Sequence, residues 1–471
     1  MLRTKTTIQT NNRIMLLKSK RRIQGSLLFF ALAFIMASCS QGNGELTGVQ
    51  DREDWYQDDP VGMLFIPMGS YNMGASDEDV PYSQSNVSKT VSVQAFYMDE
   101  TEITNNEYRQ FTNWVRDSIA HVLLALYGNP DDVGNHYKSD RDGNPIDYGQ
   151  QNFYNLIDWD ERIEWDDEEV KMVLEDPNGG IFLPEHEQFY HMSQIDARKL
   201  NFTYYWINLR AAAQRGNRPQ GLVDRSVFIE TRTDNIYPDT LCWVHDFTYS
   251  YNEPMTQNYY WHPAYDHYPV VGVNWIQARA FSIWRTGIKR SYHQSRGAAF
   301  WNDFRLPTES EWEWASRGGK DLNPYPWGGP YVRNSNGCFL ANYKPLRGNY
   351  VDDGGFHTLI VAHFAPNDYG LYDMAGNVAE WCDDSYIQST YQVAHDLNMQ
   401  ISKDLYDEFT TSSSRRVIRG GSWKDIGYYI RTSARSYEYQ DTAKAYIGFR
   451  NVQTYMGRAK GDGPNSSAVY R

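Results

Sequence analysis

Gly370-Leu371-Tyr372-Asp373-Met374-Ala375-Gly376-Asn377-Val378-Ala379-Glu380-Trp381 is the stretch that decides the reading of this chain. It starts as a Gly/Asp turn and ends as an apolar run that carries one carboxylate. Working outward, the same mixture of tight turn and short apolar segment recurs. Upstream lie Tyr325-Pro326-Trp327-Gly328, Arg305-Leu306-Pro307-Thr308-Glu309-Ser310-Glu311-Trp312-Glu313 and Pro269-Val270-Val271-Gly272-Val273-Asn274-Trp275. Further up are Asp99-Glu100-Thr101-Glu102-Ile103-Thr104-Asn105 and Gly69-Ser70-Tyr71-Asn72-Met73-Gly74. Downstream follow Arg419-Gly420-Gly421-Ser422-Trp423 and Gly448-Phe449-Arg450.

Three helix starts can be placed among these stretches. In each, a residue with a side-chain oxygen stands three positions before Glu or Gln, so that the two side chains satisfy each other's free backbone N–H groups. Thr104 with Glu107 opens a helix that buries Tyr108, Phe111 and Val115 at helical spacing. Asn274 with Gln277 opens one whose apolar face is Ala278, Phe281 and Trp284, and Thr308 with Glu311 opens one carrying Trp312 and Ala315. Met63-Leu64-Phe65-Ile66, stopped by Pro67, and Phe96-Tyr97-Met98 read as short strands. Capped helices among short strands and many turns predict an irregular α+β domain.

Composition bounds the function. The chain has 471 residues with 41% hydrophobic and 15% aromatic content, ample for a sizeable core. A net charge of −14 argues against nucleic acid, because phosphate binding needs a basic surface. Four cysteines are too few for a disulfide scaffold.

The first residues set the compartment. Lys18, Lys20, Arg21 and Arg22 precede an apolar run from Leu27 to Ile35, too short to span a membrane as a helix. Met36-Ala37-Ser38-Cys39 then has the pattern of a bacterial lipobox, with Cys39 placed for lipidation; an ordinary signal peptide with an incidental cysteine is the plainer alternative. Met15 is an alternative translation start. Ser40 rather than Asp after the cysteine favours the outer membrane, on its periplasmic face. The expected organisation is a signal peptide over 1–38, a flexible tether over 39–60, a body over 61–455 and a polar tail over 456–471. Within the body, the Asp/Tyr/Asn-rich segment 121–265 reads as an ordered, largely surface insertion. Its aromatics Tyr204, Tyr205, Trp206, Trp243, Tyr259, Tyr260 and Trp261 are candidate interface anchors; packing onto their own domain is the plainer alternative for any one of them.

Taken in order, the motifs resemble the formylglycine-generating-enzyme (sulfatase-modifying factor) superfamily over about 61–120 and 266–451. The resemblance implies an irregular, C-type-lectin-related α+β fold. The lipobox, the long insertion and Trp114-Val115-Arg116-Asp117-Ser118 are similar to the GldK/PorK-type lipoproteins of gliding motility and type IX secretion. That similarity implies a periplasmic ring made by self-association and with a GldN/PorN-type partner. GldJ-type lipoproteins share the fold and are an alternative.

Active members of the superfamily hold copper between two cysteines just after the Gly-Gly-Ser-aromatic motif, and thiolates suit that soft ion. Here the stretch Ser422 to Arg431 contains no cysteine, so no catalytic residue is expected and the chain reads as a pseudoenzyme. A periplasmic oxidase with another metal site is the competing reading. His262 with His267, and His186 with His191, are each five apart and do not share a helix face. The resemblance also implies structural calcium at Asp373, Gly376, Val378 and Glu380, with a weaker second site at Asn342, the Tyr343 carbonyl and Asp352 or Asp353. The plainer alternative is that Asp373 and Glu380 only satisfy local backbone donors.

Overall fold

A computed structural model describes residues 57–457, apart from 77–87, 130–132, 139–156, 177–178, 189, 191, 215–216, 218–224, 247–252, 298–300, 347–348, 350, 353 and 402–413. The signal peptide, Cys39, the tether before residue 57 and the tail beyond 457 lie outside the described residues.

The three helix starts form as expected. In α1 (Asn105–Tyr127), α2 (Trp275–Ser295) and α3 (Glu309–Arg317) the reciprocal cap is present at Thr104, Asn274 and Thr308. Each cap satisfies orphan N–H groups that would otherwise be lost inside the body. Tyr108, Phe111 and Val115 are fully buried, as are Ala278, Trp312 and Ala315.

The strands are short and the sheets small. One sheet has the order β1 (Met63–Ile66), β4 (Phe96–Asp99), β12 (Val452–Thr454), β7 (Phe304–Arg305). A second has the order β10 (Ser436–Tyr439), β9 (Arg415–Arg419), β8 (Ala379–Ser385), β11 (Ile447–Gly448). Two-stranded sheets are made by β2 (Gly69–Met73) with β3 (Lys89–Val93), and by β5 (Asn201–Ile207) with β6 (Ile229–Asn235). The fold is α+β, with a large loop content, as the sequence predicts.

The insertion differs from its expectation in one respect. Most of its described residues are exposed or half-buried, but a set of its aromatic and aliphatic side chains joins the core of the body. Phe202, Tyr204, Ile236 and Tyr260 share one buried cluster with Phe111, Phe281 and Phe449. Phe202 meets Phe111 edge-on at 5.2 Å, and the Thr112 and Tyr260 hydroxyls lie 2.8 Å apart. Of the seven candidate anchors, Tyr204, Trp243, Tyr259 and Tyr260 are buried, Trp206 is half-buried, and Tyr205 and Trp261 are exposed. The physical reason is area: α1 and α2 are long, and the small sheets cannot cover their apolar faces.

Charges are also interior. Arg419 donates to Glu313 Oε2 at 2.6 Å, while Arg317 Nη2 donates to Glu313 Oε1 at 2.6 Å. Arg419 Nη2 also reaches Glu309 Oε1 at 2.9 Å, and Arg435 pairs with Glu309. These groups tie α3 to β9 and to the segment after it, linking three distant pieces of chain.

Candidate functional site

The decisive stretch forms a left-handed turn leading into β8. Asp373, Gly376 and Asn377 all have positive φ, at 56°, 80° and 58°. Gly376 is required twice over: a Cβ there would lie 2.4 Å from the Asn342 carbonyl oxygen. The turn is pinned by Gly376 N–H donating to the Gly420 carbonyl at 3.0 Å and Asn377 N–H donating to the Asn342 carbonyl at 2.9 Å.

Three carboxyls gather beside it. Glu380, fully buried on β8, accepts from Arg450 Nη2 at 2.6 Å, Arg450 Nε at 2.7 Å and Trp312 Nε1 at 2.7 Å. Glu102 accepts from Asn377 Nδ2 at 2.6 Å and from Val378 N–H at 3.1 Å. Asp373 Oδ2 accepts from Ala362 N–H at 2.7 Å. Burial pushes the Glu102 carboxyl well above the usual range, and the charges of Asp373 and Glu380 push it further. Burial likewise pushes Asp373 up to about 6. Arg450 is the guanidinium common to all three, so the cluster carries an excess of buried acid.

That excess is the feature of this cluster that suits a hard cation. Asp373 offers a carboxylate, and Gly376 and Val378 in the same stretch offer backbone carbonyls, the oxygen donors that calcium takes. Glu380, by contrast, has both oxygens engaged by Arg450 and Trp312. Of the weaker set, Asn342 is buried next to the same turn and donates to the His357 carbonyl at 2.8 Å. Tyr343 is half-buried with its ring edge on Phe339, and Asp352 is exposed and accepts from Asn349. Asp353 lies outside the described residues. Among the described residues, no group of three or more His, Cys, Asp or Glu side chains is placed to hold a metal ion. His186 and His262 are exposed, and His191 lies outside the described residues.

The stretch after Gly420-Gly421 is closed. Ser422 N–H and Oγ donate to Asp425 Oδ2 at 3.0 and 2.6 Å, and the Asp425 carbonyl accepts from Lys344 N–H at 2.8 Å. Trp423 stacks on Trp243 of the insertion with ring centroids 6.0 Å apart and meets His357 edge-on at 4.7 Å. Cys242, Cys338 and Cys382 are free. Burial pushes the Cys242 and Cys382 thiols up, so at neutral pH they are thiols rather than the thiolates that bind soft metals or attack.

A family model described as Sulfatase-modifying factor enzyme 1-like domain matches residues 52–455. The chain belongs to that family. The family includes members of both kinds. The chain is 34% identical over 201 residues to "Inactive C-alpha-formylglycine-generating enzyme 2" of Bos taurus, covering 41% of this chain and 53% of that protein. It therefore spans about half the length of that relative. It is 24% identical over 404 residues to "Formylglycine-generating enzyme" of Bos taurus, covering 84% of this chain and 76% of that protein. Among solved structures, PvdO from Pseudomonas aeruginosa matches with 16% identity and a TM-score of 0.41, covering 85% of this chain and 98% of that one. Sulfatase-modifying factor relatives thus include proteins named as active and as inactive.

Sequence reasoning missed Glu102 and Arg450 as partners of the turn. Both stand in quoted motifs, but Glu380 and Arg450 are 70 positions apart, and no spacing rule links them. The signal that could have found Arg450 is charge, because an Arg directly after Ile447-Gly448-Phe449 needs a partner, whereas Glu102 stands in an acidic stretch that gives no such signal.

Proposed function

We propose that this chain is a non-enzymatic, outer-membrane lipoprotein subunit of the type IX secretion and gliding-motility machinery, assembling in the periplasm with itself and with a GldN/PorN-type partner. The observation that carries the loss of chemistry is the stretch Ser422 to Arg431: it has no cysteine, and Trp423 within it is covered by Trp243 and His357. The anchor rests on Met36-Ala37-Ser38-Cys39. The branch rests on the lipobox, the insertion and Trp114 to Ser118. The GldJ-type role and a periplasmic oxidase are the alternatives.

The first test is chemical. Purified protein is expected to bind no stoichiometric copper and to leave a cysteine-containing peptide unconverted to formylglycine. Turnover that depends on Cys338 or Cys382 would reverse the reading.

A second test addresses the anchor. Cys39→Ser is expected to move the protein from the membrane fraction to the soluble fraction. A variant that still sediments with outer membrane at high salt means that lipid is not what holds it.

Structural calcium belongs to the same proposal, held by Asp373 and the Gly376 and Val378 carbonyls, with Glu380 shared with Arg450. A ligand bound only by the folded state stabilises it by mass action, about 2.7 kcal/mol at a hundredfold excess over Kd. Chelator is therefore expected to lower the melting temperature of the native protein and to leave Asp373→Ala unaffected. Identical melting curves with and without chelator in the native protein would remove calcium from the account.

A further inference from the structure

Helix α1 and the insertion meet at a pair of histidines. His121 on α1 and His136 are 4% and 1% exposed, and their Nδ1 atoms lie 2.8 Å apart. The protons of this contact can be counted. His136 Nε2 stands 2.9 Å from the Val133 carbonyl, which only accepts, so Nε2 carries a hydrogen. The neutral His136 ring then has a bare Nδ1, and the hydrogen between the two rings belongs to His121 Nδ1. One extra proton fits, on His121 Nε2. A second has only His136 Nδ1 left, where it would face the His121 N–H across 2.8 Å. The closed pair therefore takes up one proton at most, whereas two separated histidines take up two. The same contact gathers two segments of the insertion. Asp158 N–H donates to the His136 carbonyl at 2.9 Å, and Tyr137 bridges to Ile157. Trp159 meets His121 edge-on at 5.3 Å and stacks on Trp114 of α1 at 5.2 Å. Val133, Ile157 and Ile163 on these segments are buried.

We propose that this pair is an acid-sensitive clasp, which holds residues 133–138 and 157–163 on α1 at neutral pH and lets them open as the pH falls. Among the described residues, Asp158 and Glu161 are the charged groups that act on the pair, and both favour its protonation. Glu161 packs at Gly134, where a Cβ would lie 2.5 Å from its Oε1. On α1, Arg116 and Asp117 pair with each other one turn earlier, and Lys138 and Arg162 are exposed. Burial outweighs the two carboxylates and lowers both rings, His121 to about 4. Opened rings would each take a proton near the ordinary value of about 6.5. The open state thus binds more protons than the closed one, and acid draws the equilibrium towards it. The stability of the closed form is full above about 6.5 and is lost as the pH falls towards about 4. Opening bares Val133, Ile157 and Ile163, so an apolar surface is offered in acid and hidden at neutrality.

The test is amide hydrogen exchange on the full-length protein in nonionic detergent, with labelling times scaled to the intrinsic chemical rate at each pH. A difference of one proton at about 6.5 makes opening roughly thirtyfold easier at pH 5.0 than at pH 7.5. Protection of the peptides around Val133 and Asp158 is therefore expected to fall roughly thirtyfold, while that of α3 changes by less than about threefold. The double variant His121→Gln with His136→Gln cannot titrate there, and its protection in the same peptides is expected to be nearly level between the two pH values. If that variant does not fold, the native profile decides: one proton requires roughly an eightfold fall between pH 6.0 and pH 5.0. A fall of less than about threefold in the native protein, or one of equal size in the double variant, overturns the clasp.

Discussion

Arg419→Met is expected to destabilise the protein by about 3–5 kcal/mol, the cost of removing one partner from a buried charge network. The side chain is fully buried; it donates to Glu313 Oε2, to the carbonyls of Thr432 and Ala434 and, at 3.5 Å, to the Tyr391 hydroxyl, and it forms an ion pair with Glu309 Oε1 at 2.9 Å. Methionine fills a similar volume and satisfies none of them. Glu309 keeps Arg435 and Glu313 keeps Arg317, so the loss is graded rather than total. It is still a large share of the roughly 5–15 kcal/mol that holds a domain folded. The effect has a pH signature. Arg317 and Arg419 together hold the Glu313 carboxyl below its ordinary value of 4.5 against the opposing effect of burial. A carboxyl depressed in the folded state contributes stability above its unfolded pKa and loses it as pH falls through the folded one. The gap between native and variant protein should therefore be widest near neutrality and narrow as pH falls below 4.5 through the depressed folded pKa. Denaturant midpoints at pH 7 and pH 3.5 measure both. A difference under about 1 kcal/mol at pH 7 would show that the network adds nothing to stability, as some buried ion pairs do not.

How much of this was legible beforehand depends on distance along the chain. The three capped helices were legible because the cap and the apolar face are both local patterns: Thr104 reads Glu107, and Tyr108 reads Phe111. Strands β1 and β4 were legible for the same reason, each being an apolar run with a boundary. The turn Asp373–Asn377 could be placed, and its glycine explained, but not the company it keeps. Glu102 and Arg450 reach it from opposite ends of the body, and pairing between such distant positions leaves no mark in spacing. The insertion shows the same limit more sharply. Its Asp, Asn and Gly content reads as surface, and its turns support that. Whether Phe202 or Tyr204 faces inward is fixed by the register with β6 and by the bare flanks of α1 and α2, none of which a composition can express. His121 and His136 are a smaller case. Their Nδ1 atoms meet at 2.8 Å inside the body, and nothing in the sequence pairs them.

Replacing residues 125–260 by a short Gly/Ser linker is expected to leave no folded protein, rather than a trimmed one. Among the described residues, the deletion removes five buried aromatics, Phe202, Tyr204, Trp243, Tyr259 and Tyr260. Truncating one buried aromatic costs about 3–5 kcal/mol, so losing even a few exceeds the roughly 5–15 kcal/mol available. Polar partners go as well. The Tyr108 hydroxyl donates to the Ile236 carbonyl at 2.9 Å, Asn105 Nδ2 to the Tyr259 carbonyl at 3.1 Å, and Gln277 Nε2 to the Asn235 and Tyr237 carbonyls at 3.1 and 2.9 Å. Each is left buried or newly wet on a helix that supports the rest of the body. The measurement is soluble yield together with a circular-dichroism melt. A soluble deletion variant with a cooperative transition within about 5 °C of the native protein, a shift of only about 1 kcal/mol or two, would show the insertion to be an appendage after all. The expected outcome bears directly on function. If the body collapses, failure of the deletion to assemble or to support export says nothing about contacts. Only substitutions confined to exposed residues, such as Tyr205 and Trp261, can separate an assembly surface from a share of the core.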